Sequence, residues 1–184
     1  MNIWLSGYRS YELGVFKDND PKVTVIKQAL RKELINLLDR GLEWVLTGLQ
    51  LGVEQWGIEV CLELKSEYPQ LKIGALVAFS NFGQQWQEVN QSKLVQLKSQ
   101  VDFFGEVSKN PYRSPQQLRN YQNFMLSHCH GALLVYDPEF EGKSKYDYQV
   151  LKEREDLNLI LIDMDQLQNE AELYQEKVQR ENDY

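Results

Sequence analysis

Apolar residues along this chain follow two alternating rhythms. Short continuous runs come first: Ile3-Trp4-Leu5, Trp44-Val45-Leu46, Ile73 to Phe79, Asp102 to Val107, Ala132 to Tyr136 and Leu159 to Ile162. Runs of this length without polar alternation are the mark of strands buried on both faces, as in a parallel sheet. Between them apolar residues recur at helical spacing. Val23, Ile26, Leu30, Leu34 and Leu37 form one stripe, and Val53, Gly57, Val60, Leu64 and Tyr68 a second. Leu94 with Leu97, then Leu118, Tyr121 and Met125, then Tyr146, Val150 and Leu151 give three more. Leu167, Leu173 and Val178 mark a terminal helix.

The punctuation fits these stripes. Asp20-Pro21 supplies an N-cap and a first-turn proline, and Gly41 a stop. Asn90 is expected to cap the helix of Leu94, and Ser114-Pro115-Gln116-Gln117 reads as a capping box. Pro69 bounds the second helix.

Strand and helix alternate throughout, which predicts an α/β fold. The expected architecture is one Rossmann-like, doubly wound, mostly parallel sheet with helices on both faces. A single domain spans residues 1–184, with a C-terminal helix from about 163 and a frayed tail from about 180. Right-handed crossovers place every strand-to-helix loop at one sheet edge, and ligands bind there, where strand order reverses. With strands one and four flanking the reversal, the loops that matter are Ser6 to Arg9, Gly48 to Glu54 and Asn110 to Ser114. Asp137 to Lys143 forms a more distant wall.

The loop Thr47-Gly48-Leu49-Gln50-Leu51-Gly52-Val53-Glu54 joins a strand to a helix on glycines. That geometry offers unpaired N–H groups and a partial positive charge. The spacing G-x-x-x-G-x-E is neither the dinucleotide fingerprint nor a P-loop. No lysine follows to reach a phosphate. Phosphate is therefore expected at backbone N–H groups near Gly48 and Gly52, with Gln50 beside them. Glu54 is assigned a ribose hydroxyl or a base N–H. The same residues also fit a tight βα turn whose glycines serve packing and whose Glu54 complements the helix dipole.

Tyr8-Arg9 and Tyr112-Arg113 stand in two of the crevice loops and could form a nucleotide clamp, since Arg binds phosphate bidentately and Tyr stacks on bases. Ser6, Gly7 and Asp137 complete the candidate ligand-binding set. Gly142-Lys143-Ser144 ends like a P-loop, but Asp137 occupies the place of its first glycine. A nucleoside triphosphatase is thereby rejected. If the chain is an enzyme, Glu54 is the catalytic acid or base, with Asp137 a distant second, as in a nucleotide-processing hydrolase.

Composition narrows the classes further. The chain is ordinary in hydrophobic content at 42% and carries a net charge of -7, which opposes a nucleic-acid partner. No apolar run approaches the ~20 residues of a membrane span, and no signal peptide is visible. Cys61 and Cys129 are expected as core thiols in a reducing cytoplasm. His128-Cys129-His130 lacks the spacing of a zinc site, so no metal is expected.

Five separated blocks carry a family resemblance: Ser6-Gly7-Tyr8, Glu12 to Phe16, Gly41 to Trp44, Gln50 to Glu54 and Tyr136-Asp137-Pro138-Glu139. They resemble the YpsA family of small Gram-positive bacterial proteins, over Ile3 to about Asp165. That family belongs to the SLOG superfamily of Rossmann-like proteins. The superfamily includes the LOG phosphoribohydrolases and the DNA-processing protein of natural transformation. The resemblance implies sensing or processing of a nucleotide-derived ligand, with Gly52 and Glu54 at the site. It also implies a regulatory role in cell division, with a protein partner there and a homo-oligomer both compatible with it. No cofactor is required; the expected bound species is a nucleotide, NAD or an ADP-ribose-like molecule. The LOG motif P-G-G-x-G-T-x-x-E is absent, and Tyr136-Asp137-Pro138-Glu139 follows strand five instead. Three readings remain: a cytoplasmic ligand sensor, an N-glycosidic-bond hydrolase, and single-stranded DNA binding.

Overall fold

The computed structural model describes all 184 residues. Six strands make one all-parallel sheet: β1 (Asn2–Gly7), β2 (Trp44–Thr47), β3 (Lys72–Val77), β4 (Phe103–Glu106), β5 (Gly131–Val135) and β6 (Asn158–Ile162). The helices between and after them are α1 (Pro21–Leu38), α2 (Val53–Leu64), α3 (Glu88–Gln100), α4 (Gln116–His128), α5 (Lys145–Lys152) and α6 (Met164–Asn182). The order across the sheet is β4-β3-β2-β1-β5-β6. β1, β2, β3 and β5 are buried along almost their whole length, which accounts for their unbroken apolar runs.

This order corrects the expected reversal point. The chain lays down four strands in one direction before returning, because β4 pairs with β3 at the far edge. It then crosses back through α4 to place β5 beside β1. β1 and β5, not β1 and β4, flank the reversal. The segment after β5 therefore lies at the crevice itself rather than forming a distant wall.

Local signals set most boundaries. The Asp20 carboxylate accepts from Lys22 N at 2.9 Å, with Pro21 as the first helical residue. α3 begins earlier than Asn90, with Gln87 as its N-cap. α2 ends at Leu64, a turn before Tyr68. In α4, Met125 is fully buried, Tyr121 is half-buried and Leu118 is exposed, so that stripe is only partly inward. α6 continues to Asn182, beyond the expected start of the tail near 180.

The core is one cluster built on β1, β2, β3 and β5, covered on one face by α1 and α2. Both cysteines are buried free thiols, pushed up to about 12 by burial. The histidines have local structural partners. His128 stacks on Phe124, with ring centroids 4.0 Å apart, and His130 Nδ1 accepts from Asn2 N at 3.1 Å. No helix is long and apolar enough to cross a membrane.

Candidate functional site

A cavity of about 630 Å³ opens at the edge of the sheet where the strands end in loops. That is within the usual range for a small-molecule site. Its walls differ in chemistry. Leu76, Val77, Ala78, Phe79 and Phe82, following from β3, form an apolar side with Tyr112, Pro115 and Leu118. The aromatic rings support one another: Phe79 meets Phe82 at 6.0 Å and Tyr112 at 5.2 Å between centroids. Arg9, Gly48, Gln50 and Glu54 make the polar part of the lining, with Gln122 from α4 and Asp147 from α5. Arg119, Lys143 and Tyr146 stand on the exposed mouth.

The central loop supplies the buried carboxylate. Glu54 is in the first turn of α2, yet it is buried. Its Oε2 accepts from Gln50 N at 2.8 Å. A side chain at position 48 would collide with this carboxylate, so Gly48 leaves the room Glu54 occupies. Burial pushes Glu54 up to about 7, against the Gln50 N–H and the Arg9 charge, which favour the anion. Asp147 adds like charge.

Asp147 is the second recessed carboxylate. Its Oδ2 accepts from Ser6 Oγ at 3.0 Å and its Oδ1 from Gln122 Nε2 at 2.9 Å. Burial raises its pKa, opposed by those two hydrogen bonds and by Arg9. Arg9 thus acts electrostatically on both acids. Tyr121 also lines this side, and its buried hydroxyl has no hydrogen-bond partner.

Gly52 has a positive φ, +118°, but its close neighbour is the chain itself and not an open approach for a ligand. A Cβ there would lie 2.5 Å from Ser10 N and 2.6 Å from Tyr8 O. Residues 9 and 52 form an isolated antiparallel bridge, and Val53 N donates to Tyr8 O at 3.1 Å. The N–H groups of Gln50 and Val53 are therefore already bonded within the protein. Gly52 docks the segment after β1, and through it Arg9, against the start of α2.

The expected residues fall into two groups. Arg9, Gly48, Gln50, Glu54 and Tyr112 come together around the cavity. Ser6, Gly7, Tyr8, Gly52, Arg113 and Asp137 stand outside its lining. Ser6 acts from behind, through Asp147. Gly7 O accepts from Ser144 Oγ at 2.5 Å. The Tyr8 hydroxyl accepts from Asp137 N at 2.9 Å and donates to Phe140 O at 2.7 Å, so Tyr8 ties the segment after β5 and stands outside the cavity lining. The Asp137 carboxylate accepts from Glu139 N and Met164 N, at 2.9 and 3.1 Å. Arg113 is exposed; its backbone N–H, not its guanidinium, is held, by Gln117 Oε1 at 2.6 Å. The clamp of two Tyr-Arg pairs is therefore not assembled. Glu12 completes the frame: Arg9 N and Lys143 N both donate to it at 2.8 Å, locking the segments after β1 and β5 together.

Asp147, Tyr121, Gln122, Arg119, Phe79 and Phe82 escaped sequence reasoning as site residues. One signal for Asp147 was present. It lies four residues before the buried Leu151, which puts a carboxylate on the inward stripe of α5. A charge there is rare without a partner or a task.

Comparison with known proteins agrees with the architecture. The profile of the YspA SLOG family matches residues 3–167. A UPF0398 protein of Ligilactobacillus salivarius is 56% identical over 180 residues, covering 96% of this chain and 98% of its own. One from Limosilactobacillus reuteri is 52% identical over 186 residues, at 98% and 97% coverage. Another, from Latilactobacillus sakei, is 58% identical over 150 residues, at 82% and 81%. With its six-stranded parallel sheet and a family match across nearly its full length, the chain belongs to the YpsA (YspA) SLOG family.

Proposed function

We propose that this chain binds a nucleotide-derived small molecule in the cavity at the sheet edge and acts as a cytoplasmic sensor of it. One observation carries the reading. The cavity combines a cluster of mutually packed aromatic rings with two recessed carboxylates and Arg9. Such a cluster suits a flat heterocycle, and the polar side suits a sugar with hydrogen-bond donors. NAD, ADP-ribose and nucleoside monophosphates have both parts. A regulatory role in cell division, through a protein partner, follows from the family resemblance alone.

Thermal-shift screening of these compounds near neutral pH tests the reading. A ligand at about a hundred times its Kd adds roughly 2.7 kcal/mol of stability. No shift with any of them at millimolar concentration refutes it.

A second reading draws on the Glu54 pKa of about 7. A carboxyl group poised there can give and take a proton at physiological pH, as cleavage of an N-glycosidic bond requires. Incubation with nucleoside monophosphates and NAD, followed by chromatography for free base, decides it. Free base released by the wild type and not by Glu54→Gln supports hydrolysis. Binding of single-stranded DNA has less support. The net charge is -7, and the site is an open-mouthed cavity with two carboxylates in its lining rather than a basic groove.

A further inference from the structure

Two buried side-chain polar atoms lack a partner in this protein, Trp4 Nε1 and the Tyr121 hydroxyl. Trp4 is enclosed in the core. Tyr121 lines the cavity, on the same side as Glu54 and Asp147, and both carboxylates bear on it electrostatically. A buried hydroxyl without a partner is costly and calls for an explanation.

The bonding capacity around it is specific. Asp147 accepts one hydrogen bond on each oxygen, and Glu54 accepts one. A carboxylate can accept about four, so both acids keep acceptor capacity toward the cavity. Tyr121 keeps a proton to donate. A phosphate offers no donors and is repelled by two carboxylates. An ammonium donates but cannot accept the phenolic proton. A hydroxyl does both, and two adjacent hydroxyls can serve both acids at once.

We propose that Tyr121, Glu54 and Asp147 form one recognition station for a vicinal diol, the 2′- and 3′-hydroxyls of a ribonucleoside, and that the cavity therefore selects ribonucleotides over 2′-deoxyribonucleotides. The inference rests on the ligand class proposed above. It adds Asp147 and Tyr121 as specificity residues and places the diol at the recessed side. The base then lies along Phe79 and Phe82, and phosphates point to the exposed mouth, where Arg119 and Lys143 stand.

The test is calorimetric titration of AMP, GMP and ADP-ribose, each beside its 2′-deoxy counterpart, into wild type, Tyr121→Phe and Asp147→Asn. Melting of each unliganded protein runs in parallel. The wild type should bind at least one ribonucleotide about tenfold or more tightly than its deoxy form. Tyr121→Phe removes only the unpaired oxygen. It should melt at or above the wild-type temperature, bind the ribonucleotide about tenfold more weakly and discriminate against the deoxy form far less. Asp147→Asn should lose discrimination likewise, and it carries the test should the Phe variant not fold.

A Tyr121 that merely packs would, as Phe, discriminate between the sugars as before. That result overturns the assignment of Tyr121. Equal wild-type affinity for ribo and deoxy ligands overturns the diol station while leaving nucleotide binding standing. A wild type that binds none of the six compounds overturns both.

Discussion

Two of the three carboxylates on helix α2, Glu54 and Glu59, have opposite fates. Glu54, in its first turn, faces the cavity, with no lysine or arginine in ion-pair contact. Glu59 lies on the outer side, where its Oε2 is 2.7 Å from Lys27 Nζ and its Oε1 is 2.9 Å from Lys93 Nζ. Burial pushes both toward the neutral acid. At Glu59 the two lysines outweigh it and the pKa falls below the usual value. At Glu54 one N–H and the Arg9 charge do not, and the pKa rises to about 7. The same residue type on the same helix is closed off in one place and left open in the other. A carboxylate whose neighbours fully satisfy it supports the fold. One kept in the interior with bonding capacity to spare weakens the fold and marks a candidate site.

The largest expected effect comes from forcing apart the start of α2. Gly52→Ala puts a methyl against the backbone of Tyr8 and Ser10 at a φ that L residues rarely adopt. It should cost about 3 kcal/mol or more. Urea unfolding measures this. The docking of Arg9 is lost with it, so ligand binding should fail even in whatever fraction stays folded. A loss below about 1 kcal/mol would mean the bridge between residues 9 and 52 is dispensable.

Glu54→Gln should act in the other direction. Folding raises the pKa of Glu54, so the folded state holds the proton more tightly than the unfolded chain. The resulting stability is complete below about pH 4.5 and is lost as pH rises through about 7. Above that, wild type carries a buried anion that Gln50 N and Arg9 only partly compensate, and which the Gln variant lacks. The variant should be more stable than wild type by roughly 1–3 kcal/mol near pH 8, with the gain gone near pH 5. The Gln carbonyl can still accept from Gln50 N. Melting curves across pH give the answer, and a variant less stable than wild type at pH 8 would show that the Glu54 anion is well solvated.

Glu59→Gln should give the reverse profile with a smaller amplitude. Its folded pKa is depressed, so its contribution is present above the ordinary carboxylate pKa and lost as pH falls through the folded value. The pair network is about one quarter exposed, at 24% for Glu59 and 22% for Lys93, so screening limits it to about 1 kcal/mol. The expected result is destabilisation at neutral pH that fades in acid. Added salt should shrink it, while barely touching the Glu54→Gln gain.

The contrast between the two acids was half legible in the sequence. Periodicity placed α2 and showed Glu54 in its first turn, because strand runs and helical stripes depend on local spacing. It could not show that Glu54 folds inward. That depends on Gly48 leaving room and on Gln50 turning its N–H back, both features of a loop. The lysines of Glu59 come from α1 and α3, and Asp147 from α5, so neither partnership leaves a mark on neighbouring residues. The reversal point went astray for a related reason. All six strands were visible, but the order in which they pair is set by non-local packing, and one more outward crossover moved the crevice from β4 to β5. Tyr8 and Asp137 were singled out as polar residues at the right edge. They are there, but the Tyr8 hydroxyl bonds the segment after β5, and the Asp137 carboxylate bonds Glu139 N and the start of α6, rather than the cavity.

The smallest effect separates the two arginines expected to act alike. Arg9 lowers the pKa of both Glu54 and Asp147. Arg9→Gln should therefore move the pH at which wild-type stability declines further upward, because the Glu54 anion loses its one cationic neighbour. At fixed alkaline pH the cost should be on the order of 0.5 kcal/mol, since a single charge without a direct ion pair contributes little. Arg113→Gln is the matched control. Its side chain is exposed, and its loop is held through backbone N–H groups and the buried Gln117. It should leave both the melting temperature and its pH profile where they are. The comparison is read from the stability of wild type, the two variants and each combined with Glu54→Gln. If Arg9 acts through Glu54, Arg9→Gln should shift the profile only while Glu54 is present. An equal shift in the Glu54→Gln background would assign the effect to Asp147, the other acid under the same guanidinium.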